Sequence, residues 1–152
     1  MAAAAAGTDD AIYPTHSIEH VYAHEVPLVL AEFLRVLKPE VIAVITCPDL
    51  QTFCALVAEN KLNDAAYLSQ AGPITPLDII YGHGDAVKAG FHYMAHKTGF
   101  TEKTLTQALQ SAGFVSIAGK RRARGLDLWM IARKGRLNEP LMRELAGQLL
   151  PS

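Results

Sequence analysis

The chain reads as an α/β domain, on three observations. Residues 41–46 (Val-Ile-Ala-Val-Ile-Thr) are a continuous β-branched apolar run, which suits a strand buried on both faces. On either side of it, apolar residues recur at spacings of three and four, the period of a helix with one buried stripe. Near the C-terminus two further runs, 115–120 and 128–133, flank a polar turn and read as two strands of a hairpin. Alternation at the front argues a parallel pair, and the closing hairpin argues an antiparallel edge. With 152 residues there is room for one domain of ordinary size and too little for two.

Taken in order, residues 1–8 look like a tail, since an alanine run this short is a marginal helix in water. Residues 9–15 (Asp-Asp-Ala-Ile-Tyr-Pro-Thr) read as a short strand with Pro14 near its end. A polar, histidine-rich connection over 16–25 leads into a helix over 26–37. Its face is Val26, Val29, Leu30, Phe33, Leu34 and Leu37, with Pro27 tolerated in the first turn. Lys38-Pro39 stops that helix, because proline disfavours helical geometry in the residue before it. The strand over 41–46 is broken by Cys47-Pro48-Asp49, and a helix over about 50–60 carries Phe53, Leu56 and Val57 inward. Residues 71–100 form a long irregular insertion with glycines at 72, 82, 84, 90 and 99; segments of that length are usually binding loops or covers. Thr101 is an N-cap for a helix through Ser111, and Gly113 sits where a left-handed C-cap belongs. The two hairpin strands follow, and a helix over 139–149 closes the chain. No internal repeat is present.

Composition excludes several classes. Half of the residues are hydrophobic and 19% are charged, so wholesale disorder is not expected. A formal net charge of −1 offers no general attraction to nucleic acid or an anionic membrane surface. No apolar run reaches 18 residues, so no membrane span is expected, and the N-terminus lacks the basic region of a signal peptide. Two cysteines, Cys47 and Cys54, are too few for a disulfide scaffold or a four-thiolate metal site. These features point to a cytoplasmic protein.

Several motifs carry chemistry, each beside a plainer alternative. His16-Ser-Ile-Glu19-His20 fits H-x-x-E-H, an inverted zinc-protease pattern, in which both histidines would bind zinc from one helix face and Glu19 would activate water. That requires a continuous helix across 16–20 and a further acidic ligand. Loop histidines at the carboxyl end of a strand are the alternative, and no resident metal is expected. His20 with His24, and His92 with His96, share the i, i+4 spacing of adventitious metal pairs. The aromatic and histidine-rich stretch 81–96 suits a segment covering a substrate, with Tyr93 or His96 available for proton transfer. Asp49 is either a substrate contact or a helix cap. Lys120, Arg121, Arg122 and Arg124 form a basic cluster that reads as solvated charge in a turn. Cys47 has no cationic partner nearby in sequence to activate it.

Three motifs in order resemble the C-terminal half of a class I (Rossmann-like) S-adenosylmethionine-dependent methyltransferase. These are the strand and turn from Asp10 to His20; Ala31-Glu-Phe-Leu-Arg35-Val-Leu-Lys38-Pro39 leading into the central strand and Cys47-Pro48-Asp49-Leu50; and His96-Lys97-Thr-Gly99-Phe100-Thr101 with Ala112-Gly113-Phe114. The resemblance covers about residues 9–134. It implies a partial methyltransferase sheet of mostly parallel strands with a C-terminal antiparallel hairpin, helices on both faces, and strand order 4-5-7-6 in the family's labelling. Two departures stand out. Glu40 and Val41 replace the glycine pair that usually follows Lys-Pro, and the glycine-rich cofactor turn of the first three strands is missing.

The resemblance implies S-adenosylmethionine as cofactor and a small-molecule O or N acceptor, with no dedicated base required for direct transfer. Ligands of open α/β sheets lie beyond the carboxyl ends of the strands. Thr15, His16 and Glu19 are therefore expected beside the cofactor, with helix capping as the alternative for His16 and Glu19. Asp49, Tyr93 and His96 are expected beside the acceptor. Without the preceding strands, residues 9–15 would leave an open sheet edge, and open edges invite pairing. A homodimer or a partner chain through that edge is the expected consequence. The competing readings are a non-catalytic binding or self-assembly module and one part of a split methyltransferase.

Overall fold

The central strand forms where the β-branched run predicts it, and everything else is arranged around it. In the computed structural model, residue 7 and residues 12–122 and 126–150 are described. The expected tail at 1–8, apart from Gly7, lies outside the described residues, as do residues 9–11 of the first strand and Arg124 of the basic cluster. The elements are a 3-10 turn (Ile18–His20), α1 (Val26–Val36), β1 (Ile42–Pro48), α2 (Leu50–Ala58), β2 (Tyr67–Ser69), β3 (Gly72–Ile74), α3 (Pro76–Tyr81), α4 (Gly84–Lys88), a second 3-10 turn (His92–Met94), α5 (Glu102–Ala112), β4 (Ser116–Arg122), β5 (Asp127–Arg133) and α6 (Glu139–Leu149).

The main sheet has the order β1-β5-β4, with β5 antiparallel to both neighbours. On the free side of β1, Ile12 and Thr15 make parallel bridges to Ala43 and Thr46. Four segments thus lie in the order 12–15, β1, β5, β4, three running one way and β5 the other, which is the predicted 4-5-7-6 arrangement. Because side chains alternate along a strand, β1 and β5 each present two apolar faces. Ala43, Ile45, Cys47, Leu128, Met130 and Ala132 pack against Val26 and Leu30 of α1 and Leu105 and Leu109 of α5. Val44 and Ile131 face the other way, onto Met142 of α6 and Leu150. Helices therefore cover both faces.

Local signals place most boundaries. Thr101 caps α5 through a reciprocal capping box with Thr104, and Gly113 ends it in the left-handed region at φ 107°. β1 continues through Cys47 and Pro48, where the sequence predicts a break. Proline is tolerated there because Pro48 is the strand's last residue, opposite Asp127. The larger correction concerns 71–100, expected as irregular. It holds β3, two short helices and a 3-10 turn, and its hairpin β2–β3 begins at Tyr67. The sequence carries the start of α3 in Thr75-Pro76-Leu-Asp78, where Thr75 and Asp78 cap one another and Pro76 occupies the first turn.

Candidate functional site

Beyond Thr15 the backbone turns sharply out of the sheet. His16 takes φ +45° and donates its N–H to the Thr46 carbonyl at 3.0 Å, while the Ser17 hydroxyl donates to the Thr15 carbonyl at 2.9 Å. Ile18, buried in the core, anchors the 3-10 turn that follows. This geometry drives the Glu19 side chain inward until the residue is 1% exposed. H-x-x-E-H is thus not a helix: only Ile18–His20 are helical, so the shared-face zinc-protease arrangement of His16 and His20 does not form.

The insertion closes on this turn. The Glu19 carbonyl accepts the N–H groups of Lys97 at 2.8 Å and Thr98 at 3.2 Å. His96 donates its own N–H to Tyr81 at 3.2 Å. Gly82, at φ +100°, permits the close approach: a Cβ there would lie 2.3 Å from the Met94 carbonyl oxygen. Glu19, His16, His20 and His96 are so gathered at the carboxyl end of the parallel segments, 12–15 and β1. Two adjoining pockets, of about 130 and 280 Å³, share Glu19, Pro48, Ile79 and His96. The smaller is otherwise mostly apolar, with Cys47, Leu50 and Phe100; the larger adds His16, His20, Tyr67, Asp78 and His83. Neither reaches the ~300 Å³ at the lower end of ordinary ligand sites.

Charge is distributed unevenly around the cleft. The His16 ring lies 3.8 Å from Asp127 and 3.3 Å from Glu19. Asp127 first, then Glu19, raises its pKa to about 9 against the opposing effect of burial, so the imidazole is cationic at neutral pH. Burial alone would raise the Asp127 carboxyl, but His16, Arg122 and Trp129 outweigh it and hold it at about 2. Arg122 donates from Nε at 2.8 Å and from Nη2 at 2.6 Å, and the Trp129 indole donates at 3.0 Å. Burial lowers His96, partly offset by its contact with the Ile79 carbonyl and by Glu19, so this ring is neutral at neutral pH. Burial pushes the Tyr67 phenol up, leaving it a hydrogen-bond donor.

The other expected site residues fare differently. Asp49 is 2% exposed and lines neither pocket. It caps α2, accepting from Gln51 N–H at 3.2 Å and Thr52 Oγ1 at 2.6 Å, and receives Arg121 Nε at 2.8 Å. Of the two roles the sequence allows, the structure shows the cap. Tyr93 is exposed, packs edge-on against Phe91 and lines neither pocket. Arg121 and Arg122 lie on β4 rather than in the turn; Arg121 stays exposed, yet each pairs with a buried carboxylate, Asp49 and Asp127 respectively. Cys47 is fully buried, and burial, then Glu19, Asp49 and Asp127, push its thiol far up, away from nucleophilic use. Sequence reasoning missed Asp127 altogether. A single acid beginning a strand carries no local signal.

No protein-family model matches the chain. No curated protein matches it by sequence. Solved structures match its fold. The Burkholderia thailandensis 1,6-didemethyltoxoflavin-N1-methyltransferase, with bound 1,6-didemethyltoxoflavin and S-adenosylhomocysteine, aligns over 86% of this chain and 46% of its own at 17% identity, with a TM-score of 0.52. A SAM-dependent methyltransferase from Methanosarcina mazei aligns over 88% of this chain and 63% of its own (19% identity, TM-score 0.53). One from Archaeoglobus fulgidus aligns over 86% and 62% (16% identity, TM-score 0.53). The chain therefore spans less than two thirds of the length of each of these structures. Its fold is methyltransferase-like: a partial α/β sheet of that class, with helices on both faces and the antiparallel strand β5 between β1 and β4.

Proposed function

We propose that this chain supplies the acceptor-side half of an S-adenosylmethionine-dependent methyltransferase site, directing a methyl group to an O or N acceptor. The observation that carries the reading is the cleft: its polar residues gather beyond the carboxyl ends of 12–15 and β1, where ligands of open α/β sheets bind. His16 and Glu19 line the cleft on the cofactor side and His96 on the acceptor side, while Thr15, expected with them, is exposed and lines neither pocket. The buried Glu19 carboxylate, met by the His16 ring at Oε1 and by no donor at Oε2, suits a group that brings donors, as the cofactor's ammonium and ribose do. S-adenosylmethionine would supply the methyl group as a sulfonium electrophile. The chain's own part is to orient the acceptor, exclude water with the apolar wall of Leu50, Ile79 and Phe100, and offer the neutral His96 ring for a proton.

A second reading rests on the sheet edge. Ile12 and Pro14 turn their carbonyls to β1, accepting Val44 N–H at 2.9 Å and Thr46 N–H at 3.2 Å. The N–H and C=O of one strand residue point to the same side, so those of Tyr13 and Thr15 point outward. Both side chains are exposed. Pro14 therefore removes a donor from the paired side only; on the outer edge the Thr15 carbonyl accepts the Ser17 hydroxyl, and among the described residues no backbone group pairs with Tyr13. We propose that strands from a second copy or another polypeptide complete that edge, and with it the cofactor site.

Calorimetric titration with S-adenosylhomocysteine, run across protein concentrations bracketing any self-association seen by sedimentation, tests both. Micromolar binding by the monomer supports the stand-alone site, and binding that appears only with association supports the completed edge. No heat at millimolar ligand from folded chain at any association state refutes the cofactor reading.

A further inference from the structure

Apart from the cofactor reading, Glu19, His20 and His96 have a geometry that the methyltransferase fold does not require. Each places a potential ligand atom within 4.8 Å of the other two, and they are the one such group among the described residues. Neither Glu19 side-chain oxygen accepts a hydrogen bond, although the residue is almost fully buried. The cationic His16 ring comes within 3.3 Å of Oε1, but Oε2 meets no donor, and a buried carboxylate oxygen left in that way is expensive.

The two histidines supply the second observation. His20 Nδ1 lies 3.2 Å from the Ala95 carbonyl oxygen, and His96 Nδ1 lies 2.5 Å from that of Ile79. A carbonyl only accepts, so each Nδ1 is the donor, and in the neutral imidazole that leaves the Nε2 lone pair for a ligand. Metal-bound histidines are held in this way, the far ring nitrogen donating to a backbone carbonyl that fixes tautomer and ring plane. Both carbonyls belong to the insertion, and the Lys97 and Thr98 bonds to the Glu19 carbonyl hold that segment in place. The rings meet edge to face with centroids 4.9 Å apart.

From this geometry we infer that Glu19, His20 and His96 bind a divalent transition metal of the zinc class, as a two-imidazole, one-carboxylate site. Such a donor set leaves at least one coordination position open. Here it opens to the larger pocket, which all three residues line, so water or an oxygen-bearing acceptor completes the sphere. His16, 3.3 Å from Glu19 Oε1, orients the carboxylate from outside the coordination sphere. The i, i+4 pairs of the sequence are not the site: His24 and His92 are exposed, and the functional pairing runs between the two segments. With a metal bound, Glu19 reaches the cofactor only through the ion, the cofactor border falls to His16, and His96, its Nε2 occupied, orients the acceptor through the ion and takes no proton.

The test is titration of the metal-stripped full chain with Co²⁺, read by visible absorption, followed by competition with Zn²⁺. One equivalent is expected to give the spectrum of low-coordinate cobalt, Zn²⁺ to displace it, and Zn²⁺ to raise the melting temperature. Glu19→Gln and His96→Gln should each weaken binding by more than the roughly 10–100-fold that loss of an outer partner costs. His24→Gln and His92→Gln should leave affinity unchanged. Absence of both the cobalt spectrum and the zinc-dependent stabilisation in the unmutated chain overturns the site, and so does affinity that follows His24 or His92. The unmutated chain and these two surface variants decide the matter even where the ligand variants fail to fold. None of these readouts involves S-adenosylhomocysteine, so the metal site and the cofactor reading fail separately.

Discussion

Asp127→Asn removes the acid that holds the β4–β5 hairpin against the cleft. The carboxyl lies at about 2 in the fold against an ordinary 3.8, with His16, Arg122 and Trp129 overcoming burial. At ~1.36 kcal/mol per pH unit, that gap corresponds to roughly 2 kcal/mol of stability. The Asp127 side chain is 3% exposed and screened little; Arg122, at 35%, keeps the figure toward the low end. For a depressed acid, the unfolded chain takes up the proton first as pH falls. The contribution is therefore complete above about 4 and disappears as pH drops through about 2. Urea unfolding followed by far-UV circular dichroism should find the Asn variant about 2 kcal/mol less stable at pH 7. The difference should close steadily on acidification through that window. Equal stability at pH 7, or a deficit that stays constant to about pH 2, would refute the clamp.

Two further predictions follow from packing. Gly82→Ala places a methyl 2.3 Å from the Met94 carbonyl oxygen and 2.7 Å from Ala95 Cα at φ +100°; strain of roughly 1–3 kcal/mol should lower the melting temperature by several degrees. Gly84→Ala meets only the Asp78 side chain, at 3.4 Å, and is the tolerated comparison; equal melting temperatures for the two would count against the close joint. Of the two thiols, exposed Cys54 should react with a disulfide reagent in the native chain, and buried Cys47 only after unfolding. Prompt reaction of both would contradict the burial of β1.

What the sequence makes legible is local. The β-branched run, the Thr101 cap, Gly113 and the helix faces each act over a few residues, and the elements formed close to where those signals lie. The long insertion was obscured because its glycines outweigh a short capping box at Thr75–Asp78, and a six-residue α3 depends on tertiary packing rather than propensity. The site is legible only in part. His16, Glu19 and His96 can be chosen as polar residues at strand ends or in a histidine-rich segment. Their partners are distant in sequence: Arg121 reaches Asp49 across 72 positions, and His20 meets Ala95 across 75. No periodicity encodes such pairs. The arginines of β4 look like solvated charge until the fold brings buried acids beneath them.

The pair of amide bonds to the Glu19 carbonyl also bears on how the cleft opens. Residues 76–100 are fastened at several points: at Glu19, through Leu77 N–H to the Leu62 carbonyl at 3.1 Å, and through Leu50 N–H to the Phe100 carbonyl at 3.0 Å. Swinging this segment away would break several backbone hydrogen bonds at once and expose Phe100 and Pro76, both buried. It therefore serves as a fixed wall of the cleft, not as a gate. Ligand exchange then does not wait on this segment, and the speed of entry and departure is set by the standing opening of the cleft rather than by a hinge.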